Sequence, residues 1–314
     1  MDELVGAVQS DLRAWRGALI AIIGPTAAGK SALALSVAAH LDGEIVSADS
    51  RHVYRRMNIG TNKPTPREQA QVTHHLLDLR EPWEGFSLGE YLTLARAVIE
   101  DVCARGKTPL LVGGTGQYVR AVLEGWQTPP VPPDESVRAR WLAFAQAHGA
   151  PALFEQLRQR DPEAARTIDP RNVRRVVRAL EVIEATGQPW SAWQRRQPWG
   201  VPVRVIYLQP PRDALYARAD ARLLGMIAAG WLDEVRALLE AFAQRGLDAD
   251  CALTLPAMSA LGYREMAQVA LGRLALDEAI AAIKRATRRF IRAQDVWFRR
   301  DAAKFGAIVV NRLL

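Results

Sequence analysis

Apolar and polar positions alternate along the chain in a pattern that predicts short buried strands separated by helices. Strand-like apolar runs occupy residues 18–23, 44–48, 75–79, 109–112 and 203–208. Helical spacing is present between them, for example over residues 31–41 and 88–105. Strands that alternate with helices usually form a parallel sheet with helices on both faces. The pattern therefore predicts an α/β core.

One interval interrupts the alternation. Residues 123–135 contain several prolines, which neither a helix interior nor a central strand tolerates. A helical pattern without a convincing strand follows, and strand spacing resumes only after residue 200. We therefore expect an all-helical insertion over residues 131–200, between a first core segment (1–130) and a second core segment (201–314).

The first predicted strand is followed by a glycine-rich turn. This turn consists of Gly24, Pro25, Thr26, Ala27, Ala28, Gly29, Lys30 and Ser31. A loop of this kind between a strand and a helix directs backbone N–H groups at a phosphate, the lysine adds a positive charge, and the serine hydroxyl can bind Mg²⁺. The motif predicts a diphosphate- or nucleotide-binding loop in a P-loop NTPase-like sheet, and an ordinary Gly-rich turn is the alternative.

The charge balance suggests a polyanionic partner. The formal net charge is +7, and the basic excess is concentrated in residues 271–314. A general compositional bias toward arginine is the alternative. The first ten residues lack a secretory leader pattern and no apolar run is long enough to span a bilayer, so we expect a cytoplasmic protein with no membrane partner.

Two predicted helices are amphipathic with one strongly basic face. In the helix over residues 171–186, four arginines share one stripe opposite a valine-rich face, namely Arg171, Arg174, Arg175 and Arg178. Four unpaired guanidinium groups favour phosphate-backbone binding over a solvated face. In the helix over residues 277–300, a basic face lies opposite an apolar face with Phe290 and Trp297, which we expect in the core, although a membrane-surface helix has a similar pattern.

These features alone favour a small P-loop kinase, but two segments do not fit one. Asp49 follows the second predicted strand, at the sheet edge that bears the phosphate loop, where it could bind a metal or act as a general base. The strand at 109–112 leads into Gly113, Gly114 and Thr115, where many P-loop NTPases have an aspartate. Small residues there let a ligand approach the backbone closely.

Seven segments in this order resemble the tRNA dimethylallyltransferases, also called tRNA isopentenyltransferases. They are GPTAAGKS, SADSRHVYRRMNIGTNKP, HHLLDL, LLVGGTGQY, RALEV, LGYREM and ATRRFIRAQDVWFRR. The resemblance implies transfer of a dimethylallyl group from dimethylallyl diphosphate to the exocyclic amine of the adenine 3′ of the anticodon, in tRNAs that read codons beginning with U. The loop would then hold the diphosphate of a prenyl donor. A kinase and a non-catalytic tRNA-binding module are the competing hypotheses.

The resemblance and the chemistry together suggest roles for individual residues. Asp49 is the candidate base, with Thr115 orienting the amine or the base. Lys30, the loop amides, Arg222 and its neighbour Arg218 would stabilise the departing diphosphate, with Mg²⁺ held partly by Ser31. The motifs require no second subunit, so we expect a monomer.

The resemblance also assigns tRNA contacts. The implied contacts with the anticodon stem-loop are Asp49, Ser50, Arg51, His52, Thr115, Arg138, Arg174, Arg175, Val176, Val177, Arg178, Gly262, Tyr263 and Arg264. The arginines among residues 174–178 belong to the basic stripe found from helical angles alone. Two positions depart from the family pattern, namely His52, where glutamine is expected in many relatives, and Gln117, where an apolar residue is usual.

Overall fold

A computed structural model of the protein describes residues 13–129, 131–194 and 196–312. The first ten residues, on which the expected lack of a leader rests, lie outside these ranges. Six strands in the described ranges form one parallel sheet in the order β3-β2-β4-β1-β5-β6. They are β1 (Leu19–Ile23), β2 (Gly43–Ser47), β3 (His74–His75), β4 (Thr108–Val112), β5 (Val203–Leu208) and β6 (Ile308–Val310).

Helices connect these strands. Before the fifth strand they are α1 (Lys30–Leu41), α2 (Pro66–Gln71), α3 (Leu88–Ala104), α4 (Gly116–Leu123), α5 (Glu135–Arg160), α6 (Pro162–Thr167) and α7 (Val173–Thr186). After it they are α8 (Arg212–Ala228), α9 (Trp231–Ala243), α10 (Ala249–Thr254), α11 (Tyr263–Ala270) and α12 (Leu276–Lys304). None of the helices in the described ranges is both long and apolar enough to cross a membrane.

The chain divides into two compact units. The core unit joins the residues up to Leu123 with those from Trp199 onward, and it contains the whole sheet. The helical unit is Glu124–Pro198 and contains α5, α6 and α7. Its own core packs α5 against α7 through Leu153, Leu157, Val176 and Leu180, all of which are buried. The insertion expected at 131–200 corresponds to this unit with a start seven residues earlier, at 124.

The third strand is shorter than the predicted strand at 75–79, because the backbone changes conformation after His75. Leu76 and Asp78 have φ values of 63° and 54°, in the left-handed region that ends a strand. The carboxylate of Asp78 accepts a hydrogen bond of 2.6 Å from the buried ammonium of Lys63. The last strand, β6, was not predicted.

The sheet order brings three loops to one edge. Strand β4 lies between β1 and β2, and all three run parallel, so the loops that follow them share the carboxyl edge of the sheet. These loops are the glycine-rich turn after β1, the Asp49 segment after β2 and the Gly113–Gly114–Thr115 turn after β4. The α/β fold class predicted from the sequence is confirmed.

Candidate active site

The glycine-rich turn forms a compact loop between β1 and α1. Gly24 has a φ of 149°, and a Cβ there would lie 2.6 Å from the Leu208 carbonyl oxygen, so only glycine fits. Gly29 has a φ of 97° and precedes the first turn of α1. The Lys30 ammonium donates to the carbonyl oxygens of Gly24 (2.9 Å) and Pro25 (2.8 Å). The loop thus holds its lysine over the N-terminus of α1.

Lys30, Arg222 and Asp49 line the same cavity. Burial lowers the pKa of Lys30 to about 8, and the nearby Arg222 guanidinium contributes to this lowering, while Asp49 opposes the shift. Burial also lowers the pKa of Arg222, with an added contribution from Arg218, and Asp49 again opposes it. Arg222 lines the cavity, whereas Arg218 is exposed one helical turn away and does not. Two cations and a carboxylate therefore meet beside the loop.

Asp49 is fixed by the backbone that follows it. Its Oδ1 accepts a hydrogen bond of 2.9 Å from the Arg51 N–H. Its Oδ2 is directed toward the turn after β4, since a Cβ on Gly114 would lie 4.0 Å from that oxygen. Asp49, Lys30 and Ser31 all line the same cavity, whose volume is about 530 Å³. The carboxylate and the phosphate loop therefore share one cavity.

The turn after β4 fits closely against the segment after β2. A Cβ on Gly113 would lie 2.1 Å from the Ala48 carbonyl oxygen, so the two backbones approach as only glycine allows. The Thr115 hydroxyl accepts a hydrogen bond from the Ser50 N–H (3.0 Å) and contacts the Ser50 hydroxyl (3.3 Å). The Thr115 hydroxyl thus holds the backbone of Ser50, the residue that follows Asp49.

Gln294 on α12 joins two of the three loops, and no sequence pattern pointed to it. Its Oε1 accepts a hydrogen bond from the Thr26 N–H (2.8 Å), and its Nε2 donates to the Gly114 carbonyl oxygen (2.8 Å). The residue is 5% exposed. The amide accepts from one loop through its oxygen and donates to the other through its nitrogen, so Gln294 links the phosphate loop to the turn after β4.

Gln294→Glu tests this connection with little change of shape. The carboxylate of the variant cannot donate a hydrogen bond to the Gly114 carbonyl oxygen. It also brings a negative charge to the phosphate loop. We expect the Kd for inorganic diphosphate to rise by about tenfold or more. Isothermal titration calorimetry with diphosphate measures this value. Gln117→Glu, at an exposed position of the same cavity, is the matched control, and an equal rise in both variants would contradict the proposed connection.

The cavity is lined by both polar and apolar groups. The polar groups include the phosphate loop, Asp49 and Arg222. The apolar groups come from α8, α9 and α12 and are Ala219, Leu223, Met226, Trp231, Ile283 and Phe290. A ligand with a charged head and a short hydrocarbon tail matches this division.

The Gly262–Tyr263–Arg264 element does not line the cavity itself but supports residues that do. Tyr263 is fully buried and donates from its hydroxyl to Glu234 (2.7 Å), so a direct tRNA contact by its side chain, expected from the resemblance, does not fit this structure. Burial and Glu234 raise the pKa of Tyr263 well above its usual value. Glu234 also accepts from the backbone N–H groups of residues 58–60, of which Gly60 lines the cavity. Arg264 is exposed and donates to the Leu253 carbonyl oxygen (3.0 Å).

His52 and Arg51 also line the cavity. His52 is within hydrogen-bonding distance of the Thr61 carbonyl oxygen through Nε2 (3.2 Å) and of the Ser47 hydroxyl through Nδ1 (3.2 Å). A neutral ring that donates to the carbonyl accepts from the hydroxyl. Arg51 donates to the Pro256 carbonyl oxygen (2.7 Å). Both side chains are therefore anchored by contacts within the cavity wall.

The arginine face of α7 is less uniform than its helical angles suggested. Helix α7 begins at Val173, so Arg171 lies outside the helix that the sequence predicted from residue 171. Arg171 pairs with Asp169 and Arg178 pairs with the buried Glu181, so these two are not the unpaired cations that the sequence predicted. Arg138 on α5 pairs with Glu181 as well (3.1 Å). Val176 and Val177 are buried in the helical unit, so their side chains cannot contact RNA in this arrangement. Among the described residues, Arg174 and Arg175 have no acidic partner and are exposed.

The basic face of α12 is also partly neutralised. Asp220 pairs with Arg288 (2.9 Å) and lies 3.7 Å from Lys284, while Asp295 pairs with Arg299 (2.9 Å). On the apolar side, the expected core position holds for Ile283, Ile291 and Phe298 but is wrong for two aromatic residues. Phe290 is 42% exposed and Trp297 is 43% exposed, and both line the cavity.

The side chains around Ser31 suit a metal ion that arrives with a phosphate ligand. Within the described ranges, no group of three or more His, Cys, Asp or Glu side chains could hold a metal by itself. P-loop proteins bind Mg²⁺ through one Ser or Thr hydroxyl together with phosphate oxygens, and they need no such cluster. Ser31 is exposed to the cavity at the start of α1, so the donor set fits this mode.

The phosphate loop, the parallel sheet and the carboxylate at its edge define a P-loop-type α/β protein. A family model described as IPP transferase matches residues 52–301. The chain is 54% identical over 282 residues to a protein named tRNA dimethylallyltransferase from Roseiflexus sp. (strain RS-1), with 90% of each chain covered. The chain therefore belongs to the IPP transferase family, and the resemblance noted from its motifs is confirmed.

More distant relatives agree. A protein of the same name from Geobacillus thermodenitrificans (strain NG80-2) is 45% identical over 283 residues, covering 90% of this chain and 87% of the relative. The crystal structure of a tRNA isopentenylpyrophosphate transferase from Bacillus halodurans is 38% identical, with a TM-score of 0.64 and coverage of 94% and 90%. A eukaryotic dimethylallyltransferase described as acting on tRNA is 25% identical, with a TM-score of 0.77 and coverage of 93% and 73%.

Proposed function

We propose that the protein transfers a dimethylallyl group from dimethylallyl diphosphate to the exocyclic amine of the adenine 3′ of the anticodon in tRNAs that read codons beginning with U. The observation that carries this proposal is the single cavity shared by the phosphate loop, Asp49 and an apolar wall. The names of the relatives support it and do not favour the alternative kinase function.

The diphosphate leaves as negative charge accumulates on its oxygens. Lys30, Arg222 and residues of the loop line the cavity, and we place the departing diphosphate against them, because donors placed in advance accelerate such a step. Mg²⁺, held by Ser31 and the diphosphate oxygens, would add further charge neutralisation. The C1–O bond of the donor breaks, and the diphosphate departs with the electron pair.

The exocyclic nitrogen of adenine forms the new C1–N bond and must lose a proton. Asp49 is the one carboxylate among the described cavity-lining residues, so we assign it the role of general base that takes the proton. Thr115 acts as a positioning residue, because its hydroxyl holds the Ser50 backbone beside that base. The products are the prenylated adenosine and diphosphate, and the proton passes to Asp49.

An adenine can reach this cavity only after it leaves its stack, which costs least in a single-stranded loop. We propose that the helical unit binds the phosphates of the anticodon stem through its exposed arginines, with Arg174 and Arg175 foremost, since their charges are not already neutralised. Arg138 and Arg178 would contribute less, because each is paired with Glu181. We also propose that the enzyme acts as a monomer in the cytoplasm.

Replacing the two exposed arginines tests the tRNA contact. We expect Arg174→Ala with Arg175→Ala to weaken tRNA binding about tenfold and to reduce the slope of log K against log salt by about one for each phosphate that is no longer neutralised. Filter binding over a range of salt concentrations measures both quantities. Arg171→Ala is the matched control, because Asp169 already neutralises that arginine. A control that weakens binding as much as the double variant would contradict the assignment.

One reaction tests the proposed function as a whole. The protein is incubated with dimethylallyl diphosphate, Mg²⁺ and an unmodified tRNA whose anticodon ends in A, and the nucleosides are then analysed by mass spectrometry. We expect a prenylated adenosine next to the anticodon. Labelled phosphate transferred from ATP to a small acceptor would support the kinase alternative. Salt-sensitive tRNA binding without turnover of any prenyl diphosphate would support a non-catalytic binding module.

A further inference from the structure

Trp231 is a large aromatic residue in the wall of the cavity, and two glycines hold it in place. It is the first residue of α9 and is 1% exposed. A Cβ on Gly60 would lie 2.0 Å from its Nε1, and a Cβ on Gly262 would lie 2.4 Å from its Cη2. The ring of Tyr263 packs edge-on, with the two ring centroids 5.5 Å apart. Because backbone contacts two edges of the indole, the ring has no room to move aside.

Two hydrophobic clusters contribute to the cavity wall. The first is the core of the sheet, and it includes Ala27 of the phosphate loop and Ala34 of α1. The second lies among the helices after β5 and includes Leu223 and Trp231, with Met226 packed against it. The first cluster belongs to the elements that form the diphosphate site. The second cluster is therefore the apolar surface that remains for a hydrocarbon tail.

Helix α8 leads from the diphosphate site to the second cluster. Arg222, Leu223 and Met226 all line the cavity, and Met226 lies one helical turn beyond Arg222, about 6 Å along the axis. A dimethylallyl group extends about 5 Å from the diphosphate oxygen to its methyl carbons, with bonds of about 1.5 Å. With the diphosphate at Arg222, a tail that follows α8 reaches Met226 and ends in the cluster that contains Trp231.

We propose that Trp231 is the end wall of the prenyl-tail site and restricts the donor to a single isoprene unit. This inference rests on the proposed function. A donor with a second isoprene unit would need the volume that the indole occupies, and inserting extra carbon atoms into a packed wall costs free energy. The ring cannot yield, because Gly60 and Gly262 contact its edges. The indole thus selects the chain length of the donor and takes no part in bond formation.

The test compares dimethylallyl diphosphate with geranyl diphosphate, which has one more isoprene unit. Calorimetry measures the Kd of each donor. Trp231→Ala removes the indole, and a cavity of about 150 Å³ already accommodates a benzene-sized apolar group. We expect the preference for dimethylallyl diphosphate, expressed as the ratio of the two Kd values, to fall by about 10- to 200-fold. Trp231→Phe, with a smaller ring, should shift the ratio in the same direction by less. Affinity for tRNA should not change.

Leu238→Ala is the matched control. Leu238 lies on the same helix and in the same cluster, is 1% exposed and does not line the cavity. Its truncation removes packing without opening the wall, so the donor preference should stay at the wild-type value. Thermal unfolding checks that each variant is folded, and Trp231→Phe supplies the comparison should Trp231→Ala fail to fold.

Three results would overturn the proposal. They are a wild-type protein that binds both donors equally well, a folded Trp231→Phe protein with an unchanged Kd ratio, and an equal shift of the ratio in Leu238→Ala. Because the Kd values do not depend on turnover, these results concern only the end wall. Prenyl transfer by the wild-type protein is assayed in parallel, and its absence would refute the proposed function instead.

Discussion

Asp49→Asn is expected to lower kcat for prenyl transfer by a factor of about 10² to 10⁴, the usual contribution of a general base. The amine of adenine is a poor nucleophile, and Asp49 is the one carboxylate among the described cavity-lining residues that can take its proton as the new bond forms. Asparagine keeps the shape of the side chain, and its carbonyl oxygen can still accept from the Arg51 N–H. Affinity for tRNA should therefore stay within about twofold of the wild-type value.

Single-turnover kinetics at saturating donor and tRNA isolates the chemical step, and equilibrium binding of tRNA supplies the second readout. Asp277→Asn makes the same chemical change at an exposed position of α12 outside the cavity and should retain full activity. A variant at position 49 that keeps wild-type kcat would show that another group accepts the proton. Loss of tRNA affinity in parallel with kcat would show that Asp49 acts in binding instead.

Lys30→Met is expected to reduce kcat/KM for dimethylallyl diphosphate by about 10² to 10³. The substitution removes the positive charge that would stabilise the negative charge on the departing diphosphate. The ammonium now donates to two carbonyl oxygens of the loop and is close to Arg222. Methionine has similar length but no charge, so the loss should fall on donor use and leave tRNA binding unchanged. Kinetics with the donor varied at saturating tRNA measures the effect.

The same lysine predicts a pH dependence. Burial and Arg222 lower the pKa of Lys30 to about 8, so in the free protein the amine loses its charge as the pH rises through 8. Donor affinity should therefore fall above pH 8, and binding there should take up protons, because the diphosphate favours the ammonium form. Calorimetry in buffers of different ionisation enthalpy detects the uptake. Lys30→Arg keeps the charge and should not show this decline. If the donor affinity of the wild-type protein does not change as the pH rises through 8, the assignment is contradicted.

Local patterns predicted much of the core and part of the site. The phosphate loop follows from its glycines, lysine and serine between a strand and a helix, and Asp49 follows from its place after β2. Periodicity worked here because the parallel strands are buried on both faces and read as apolar runs. It failed for β3, where left-handed residues end the strand, and for β6, which has only three residues.

The positions of residues around a helix did not predict which arginines form salt bridges. The arginine stripe of α7 was found from the sequence, but the acids that neutralise Arg171 and Arg178 were not recognised as their partners. A helical projection shows which residues share a face, but it does not show which of them form a salt bridge with an acidic residue. The same limit misassigned Trp297 and Phe290, because an apolar face lines a cavity as readily as it packs a core.

The class of fold, the chemistry of the phosphate loop and the identity of the candidate base follow from the amino-acid order alone, because each depends on residues close together in the chain. The way in which the loops are joined emerged only from the folded chain. Gln294 lies 268 residues from Thr26 and 180 from Gly114, yet it bonds to both, and Glu234 holds residues 58–60 together with Tyr263. Contacts between distant segments depend on how the elements pack, and no local pattern records that packing.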